Sequence, residues 1–125
     1  TSFTQDVLKA VIALGAEVPS LWPLEVTSVL IQAERHGRIS QADSTTFLRL
    51  LKNLPIQVDG ETASRAMSET IGLARSTGIK AYDASYLELA IRKGLPIATL
   101  DKGLKRAAES LGVQIFAVSP SGVLS

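Results

Sequence analysis

The chain has 125 residues, 46% of them hydrophobic and 20% charged, which is the size and make-up of one globular domain and leaves no room for a second. It holds no cysteine, so disulfides and thiolate metal sites are excluded, and its formal net charge of +1 gives no general basic field for nucleic acid. No apolar run approaches the roughly 18 residues that a membrane helix needs, and no basic-then-apolar signal opens the chain; a cytoplasmic protein is expected.

Phe3, Val7, Ala10, Val11 and Leu14 recur at helical spacing and predict a first helix over 3–14, ended by Gly15. AEV, 16–18, is then a short strand. Ser20 is placed to cap a second helix over about 21–36, with Pro23 in its first turn and Gly37 at its end. Ser40 with Asp43 three residues on reads as a capping box for a third helix, striped by Phe47, Leu50, Leu51 and Leu54 and stopped by Pro55. IQV, 56–58, is a second strand. Asp59-Gly60 turns the chain into a helix over 61–77, striped by Ala63, Ala66, Met67, Thr70, Ile71 and Ala74 and closed by Gly78.

The helix over 83–93 is polar only along Ser85, Glu88 and Arg92, so most of its surface should be buried. PIATL, 96–100, is an apolar strand of buried type. Leu104, Ala107, Ala108 and Leu111 mark a last helix closed by Gly112; VQIFAV, 113–118, reads as the final strand and SPSGVLS as a loose end. Helices that alternate with short apolar strands predict an α/β fold with a parallel sheet covered on both faces.

Asp101 follows IATL directly and therefore belongs at the carboxyl end of a buried strand, where open α/β sheets hold their ligands. Asp83 opens the preceding helix. Either aspartate alone is explained by helix capping, worth about 1 kcal/mol. Glu25, within LWPLEVTSVLI, has Leu21, Trp22, Ser28 and Val29 as its helical neighbours, so its carboxylate shares a mainly apolar face and must pair, coordinate or stay protonated unless it lies at an exposed edge. Two carboxylates about 4 Å apart at an effective dielectric near 20 repel by roughly 4 kcal/mol, so a convergent trio binds protons or a cation. Oxygen-only ligands favour Mg²⁺ or Mn²⁺, which can polarise a phosphoryl oxygen and acidify a bound water. The one histidine, His36, lies between Arg35 and Gly37 at a helix end and gives no support to a Ser-His-Asp arrangement, and neither GxxxxGK[ST] nor GxGxxG occurs. Arg92, Lys93, Lys102, Lys105 and Arg106 share the window 92–106 with one acid, Asp101; they form either a solvated face or a phosphate-contacting rim.

YDASYLELAIRKGLPIATLDKGLKRAA, together with VPSLWPLEVTSVLIQAERHGRIS, resembles the PIN domain of VapC-type toxins from bacterial toxin-antitoxin pairs. The resemblance implies a PIN-like three-layer fold, with a mainly parallel central sheet of strand order 3-2-1-4-5 flanked by helices. It also implies a metal-dependent endoribonuclease that cuts single-stranded RNA. Glu25, Asp83 and Asp101 match the acids that hold Mg²⁺ or Mn²⁺, and Thr99, two before Asp101, matches a supporting hydroxyl. The family pattern adds a homodimer and a VapB-type antitoxin that enters the active groove. A non-catalytic PIN-type interaction module, an inactive fragment and a DNA nuclease are the alternatives.

One departure stands out. The family opens with a central strand that carries its first catalytic aspartate, and nothing before Thr1 supplies it; the only methionine is Met67. AEV, IQV, PIATL and VQIFAV would be strands 2, 3, 4 and 5, with a gap between 2 and 4 that exposes unpaired backbone groups. The expectation is a single PIN-like domain over 1–125, N-terminally incomplete, whose first strand comes from a retained peptide or another chain. Intact mass spectrometry checks it: a companion peptide beside the 13.3 kDa species is expected, and that species alone would count against retention.

Overall fold

The structure is a computed structural model and describes residues 2–116 and 123–124. The apolar spacing of the first residues forms α1 (Ser2–Leu14), and Gly15 ends it at φ +83°. A Cβ on Gly15 would stand 3.0 Å from the Pro55 carbonyl oxygen, which itself accepts the Ala16 N–H at 3.0 Å. That close approach sets β1 (Ala16–Val18) in parallel register with β2 (Ile56–Val58), Ala16 opposite Ile56 and Val18 opposite Val58.

Between these strands run α2 (Trp22–Arg35) and α3 (Gln41–Lys52). The expected capping box is present: the Asp43 N–H donates to Ser40 Oγ and the Ser40 N–H to Asp43 Oδ2, each at 3.0 Å. Ser20 does not cap α2. Leu21 holds that position without a side-chain bond, and the Ser20 N–H donates to Thr62 Oγ1 at 2.9 Å, a partner 42 residues away. The single helix expected over 61–77 is divided into α4 (Thr62–Arg65), a π turn (Ala66–Thr70) and α5 (Ile71–Thr77); across the π turn Thr70 is buried and Met67 exposed.

α6 (Ala81–Lys93) begins two residues earlier than expected and is buried at every position from Ala84 to Ala90. Gly94, at φ +64°, closes it and turns the chain towards β3 (Ile97–Ala98), so the strand expected over 96–100 shrinks to two residues. α7 (Lys102–Ser110) follows. The core joins these elements: Tyr86, Leu87, Leu89 and Ala90 of α6 pack with Ile97, Leu104, Ala107 and Ala108.

The strand expected over 113–118 is formed only in part among the described residues. Within 113–118 the described part forms one bridge, Ile115 beside Ile97, with the Ile97 N–H donating to the Gln114 carbonyl and the Phe116 N–H to the Ile97 carbonyl; 117 and 118 lie outside the described residues. Nor is all of the tail a loose end. Val123–Leu124 form β4, parallel to both β1 and β3, and the sheet runs β2-β1-β4-β3. Within the order 3-2-1-4-5, this pair takes the place of strand 1, so the expected gap is filled from the chain's own far end. Two facing strands with free N–H and C=O groups demand a partner, and a short apolar segment supplies it.

The polar stripe of α6 is buried with the rest. Arg92 Nη2 and Nη1 donate to Asp59 Oδ2 and Oδ1 at 2.6 and 3.0 Å, and Nε and Nη2 donate to Glu88 Oε2 and Oε1 at 2.8 and 3.0 Å. The side chains of Asp59 and Glu88 are 4% and 6% exposed, so this is a desolvated pair of forks. The outer arm differs: α2 has no buried residue and α3 only Ser44, so the α3 stripe expected in the core leaves Phe47 and Leu50 exposed. No helix among the described residues is long and apolar enough to cross a membrane.

Replacing Arg92 with Met leaves two buried carboxylates without a counter-charge and should cost about 3–5 kcal/mol in chemical denaturation at neutral pH. The Arg92 hydrogen bond, acting against burial, holds the Asp59 carboxyl below its usual range. Its stabilisation is therefore present above that range and lost as pH falls through the lowered value, so the gap between wild type and R92M should narrow in acid.

Candidate functional site

Glu25, Asp83 and Asp101 occupy the starts of three helices. Glu25 lies in the first turn of α2, Asp83 in the first turn of α6, and Asp101 is the residue that caps α7. Unpaired N–H groups and the positive end of each helix dipole favour a negative charge at each of these places.

Asp101 fulfils the capping reading: its Oδ1 accepts the Leu104 N–H at 2.9 Å. Gly103 leaves the carboxylate room, since a Cβ there would stand 3.3 Å from Oδ1. Asp83 does not cap. Lys80 holds that position, and the Asp83 side chain stands free of any capping bond inside the first turn. Thr99 lies just past the strand, which ends at Ala98; buried, it accepts the Asp101 N–H on its Oγ1 at 3.0 Å and so shapes the turn that presents Asp101. Glu25 is exposed, yet it is not adrift in solvent: the buried Tyr86 O–H donates to its Oε1. It stands at the wall of a 630 Å³ cavity lined also by Trp22, Val26, Val29, Phe47 and Tyr86, so the expected apolar surroundings are present.

Asp83 feels both of the other acids. Burial first, then the charge of Asp101 and then that of Glu25, raises the Asp83 carboxyl above its usual value, with Lys80 opposing. Oxygen-only donors suit a hard divalent cation, and accumulated negative charge at Asp83 is what such an ion offsets. Among the described residues no group of three or more His, Cys, Asp or Glu side chains is gathered as a ready cage for a metal ion. The trio thus suits a cation in donor type, while its carboxylates are not gathered into a group that could by itself enclose one.

Over residues 4–110 the chain matches the PIN domain family model. The chain belongs to the PIN domain family. PIN domains are generally metal-dependent nucleases, and this PIN domain carries its acids at the helix starts described above. No curated protein matches it.

The basic cluster of the PIN domain is divided. Arg92 is buried in its ion pairs and Lys93 lies 3.7 Å from Glu17, which leaves Lys102, Lys105 and Arg106 exposed on α7. His36 is the exposed C-cap of α2. Sequence reasoning missed Tyr86, whose one available signal is its place three residues after Asp83 on the same helix face.

Because the folded state raises the Asp83 carboxyl, its charge disfavours folding at neutral pH, and that penalty is relieved as pH falls through the raised value. Asp83→Asn should accordingly raise Tm at pH 7, by an increment that vanishes once pH drops below the ordinary value of 3.8. A lower Tm for D83N at pH 7 contradicts this account.

Proposed function

We propose that this PIN domain is a metal-dependent endoribonuclease of the VapC toxin type, cutting single-stranded RNA in the cytoplasm. One observation carries the reading: Tyr86, three residues after Asp83 on α6, donates to Glu25 of α2 and so links two of the acids, and the charges of Asp101 and Glu25 both act on Asp83. Glu25, Asp83 and Asp101 would hold Mg²⁺ or Mn²⁺, and when bound the ion supplies positive charge at a phosphoryl oxygen and a more acidic water. The chain's own residues prepare the place. Thr99 anchors the turn before Asp101, Asp101 keeps one oxygen on the Leu104 N–H, and exposed Lys102, Lys105 and Arg106 offer phosphate contacts beside it.

The partner reading rests on the outer arm. The apolar cavity ends at Glu25, so a VapB-type antitoxin with an apolar segment and a basic side chain would cover the cavity and neutralise the carboxylate. Leu48 and Leu50 of α3, exposed outside that cavity, leave apolar surface for a homodimer. A first strand supplied by a retained peptide or another chain would take the place of Val123–Leu124 between β1 and β3.

A second reading, a PIN-type interaction module without catalysis, draws support from Asp101, whose capping bond gives it a role that needs no metal. Digestion separates the two. In Mn²⁺, Asp83→Asn and Asp101→Asn should each lower cleavage of single-stranded RNA by about a hundredfold or more while circular dichroism is preserved. Cleavage unchanged in both variants removes the catalytic assignment of these acids, no cleavage by the wild type leaves the interaction module, and preference for single-stranded DNA over RNA reassigns the substrate.

A further inference from the structure

We propose that Tyr86 is a positioning residue for the metal-binding carboxylates: its buried hydroxyl holds Glu25 of α2 beside Asp83 of α6 and leaves the second oxygen of Glu25 free for a cation. This role rests on the nuclease reading above.

The phenol ring needs no hydroxyl to fill its place. Tyr86 is 3% exposed and belongs to the main apolar cluster, with Leu21 and Trp22 packed against it, so phenylalanine would satisfy the same contacts. A buried O–H must find an acceptor, and the one it reaches is Glu25 Oε1, on a helix 61 residues away in the chain. Glu25 in turn has reason to leave. It is exposed, carries three side-chain torsions, and shares its surroundings with the Asp83 charge. Repulsion and rotamer freedom both favour an outward glutamate, and the hydroxyl opposes both.

Placement on the helix makes the arrangement a unit. Asp83 and Tyr86 are three apart on α6 and so share one face; a single turn of this buried helix carries one acid itself and grips the other. A phenol ordinarily loses its proton only at about pH 10, so at neutral pH the hydroxyl is a donor to the charged carboxylate. A neutral donor to a ligating carboxylate fixes its direction without competing for the cation's positive charge.

The test is a cycle of Tyr86→Phe, Glu25→Gln and the double variant on the full chain, with Mn²⁺ as the probe. Trp22 is the only tryptophan and lines the same cavity as Glu25 and Tyr86, so its fluorescence reports Mn²⁺ uptake by protein free of RNA. Y86F should keep its circular dichroism and bind Mn²⁺ about tenfold more weakly, and excess Mn²⁺ should restore kcat for RNA cleavage. In the E25Q background the same change should have no further effect on uptake. Equal affinity in Y86F and wild type overturns the proposal while leaving the nuclease reading intact. An equal loss with Glu25 already replaced also overturns it, because Tyr86 would then act through the fold. No Mn²⁺ uptake by wild type removes the nuclease reading and the positioning role together.

Discussion

The guanidinium of Arg92 is the joint on which the arrangement depends. It sits one helical turn after Glu88 on α6 and reaches Asp59 in the loop after β2, presenting one fork to each carboxylate. The connection continues. Thr62 Oγ1 donates to Asp59 Oδ2 at 3.1 Å and accepts the Ser20 N–H, so a line of hydrogen bonds runs from the tail of α6 to the residues that start α2. The Tyr86 bond to Glu25 is a second link between the same two helices, nearer the head of α6. Two separated polar contacts fix both distance and rotation of one helix against the other. Glu25 and Asp83 thereby inherit a defined relation although 57 residues of chain stand between them.

Helix starts explain how three acids are tolerated near one another before any ligand is considered. Each first turn offers N–H groups that lack intrahelical partners, and Asp101 takes one of them directly. Capping and coordination are therefore not rival explanations at Asp101. A carboxylate has two oxygens and about four acceptor sites, so the Leu104 N–H fixes its direction and leaves Oδ2 available. Asp83 has no such bond, and burial first, then the charges of Asp101 and Glu25, hold its proton more tightly. The helix ends account for placement; burial and nearby charge set the affinity of Asp83 for a proton or a cation.

Local pattern made much of this legible in the sequence. A helix apolar on nearly every side has nowhere to go but the core, and α6 is buried as its composition requires. The capping box of Ser40 and Asp43 is equally local and equally present. Where the reading departs from the structure, a distant partner intervenes. Ser20 stands one residue too early to cap α2, which starts at Trp22 with Leu21 before it, while the Ser20 N–H pairs with Thr62 across the fold. The stripe of Phe47, Leu50 and Leu51 specifies a helix and its apolar face, yet periodicity carries no information on what covers that face, and Phe47 and Leu50 stay exposed. Tyr86 and Arg92 look like core and surface residues respectively until Glu25 and Asp59 are seen beside them.

The central strand shows most clearly how the needs of a fold and of a site separate. Parallel pairing at the middle of the sheet involves backbone groups, and Val123 meets Glu17 on one side and Ile97 on the other, with Leu124 opposite Ala98. Any extended segment with tolerable side chains can satisfy those N–H and C=O groups, which is why two apolar residues with no helical or alternating pattern of their own can serve. Chemistry is more demanding. A strand in this position adds to the acidic cluster only if it carries an acid, and Val123–Leu124 carry none. The negative charge that acts on Asp83 therefore comes from helix starts: Asp101 and Glu25 supply it, while Val123–Leu124 close the sheet through their backbone and bring no acidic side chain.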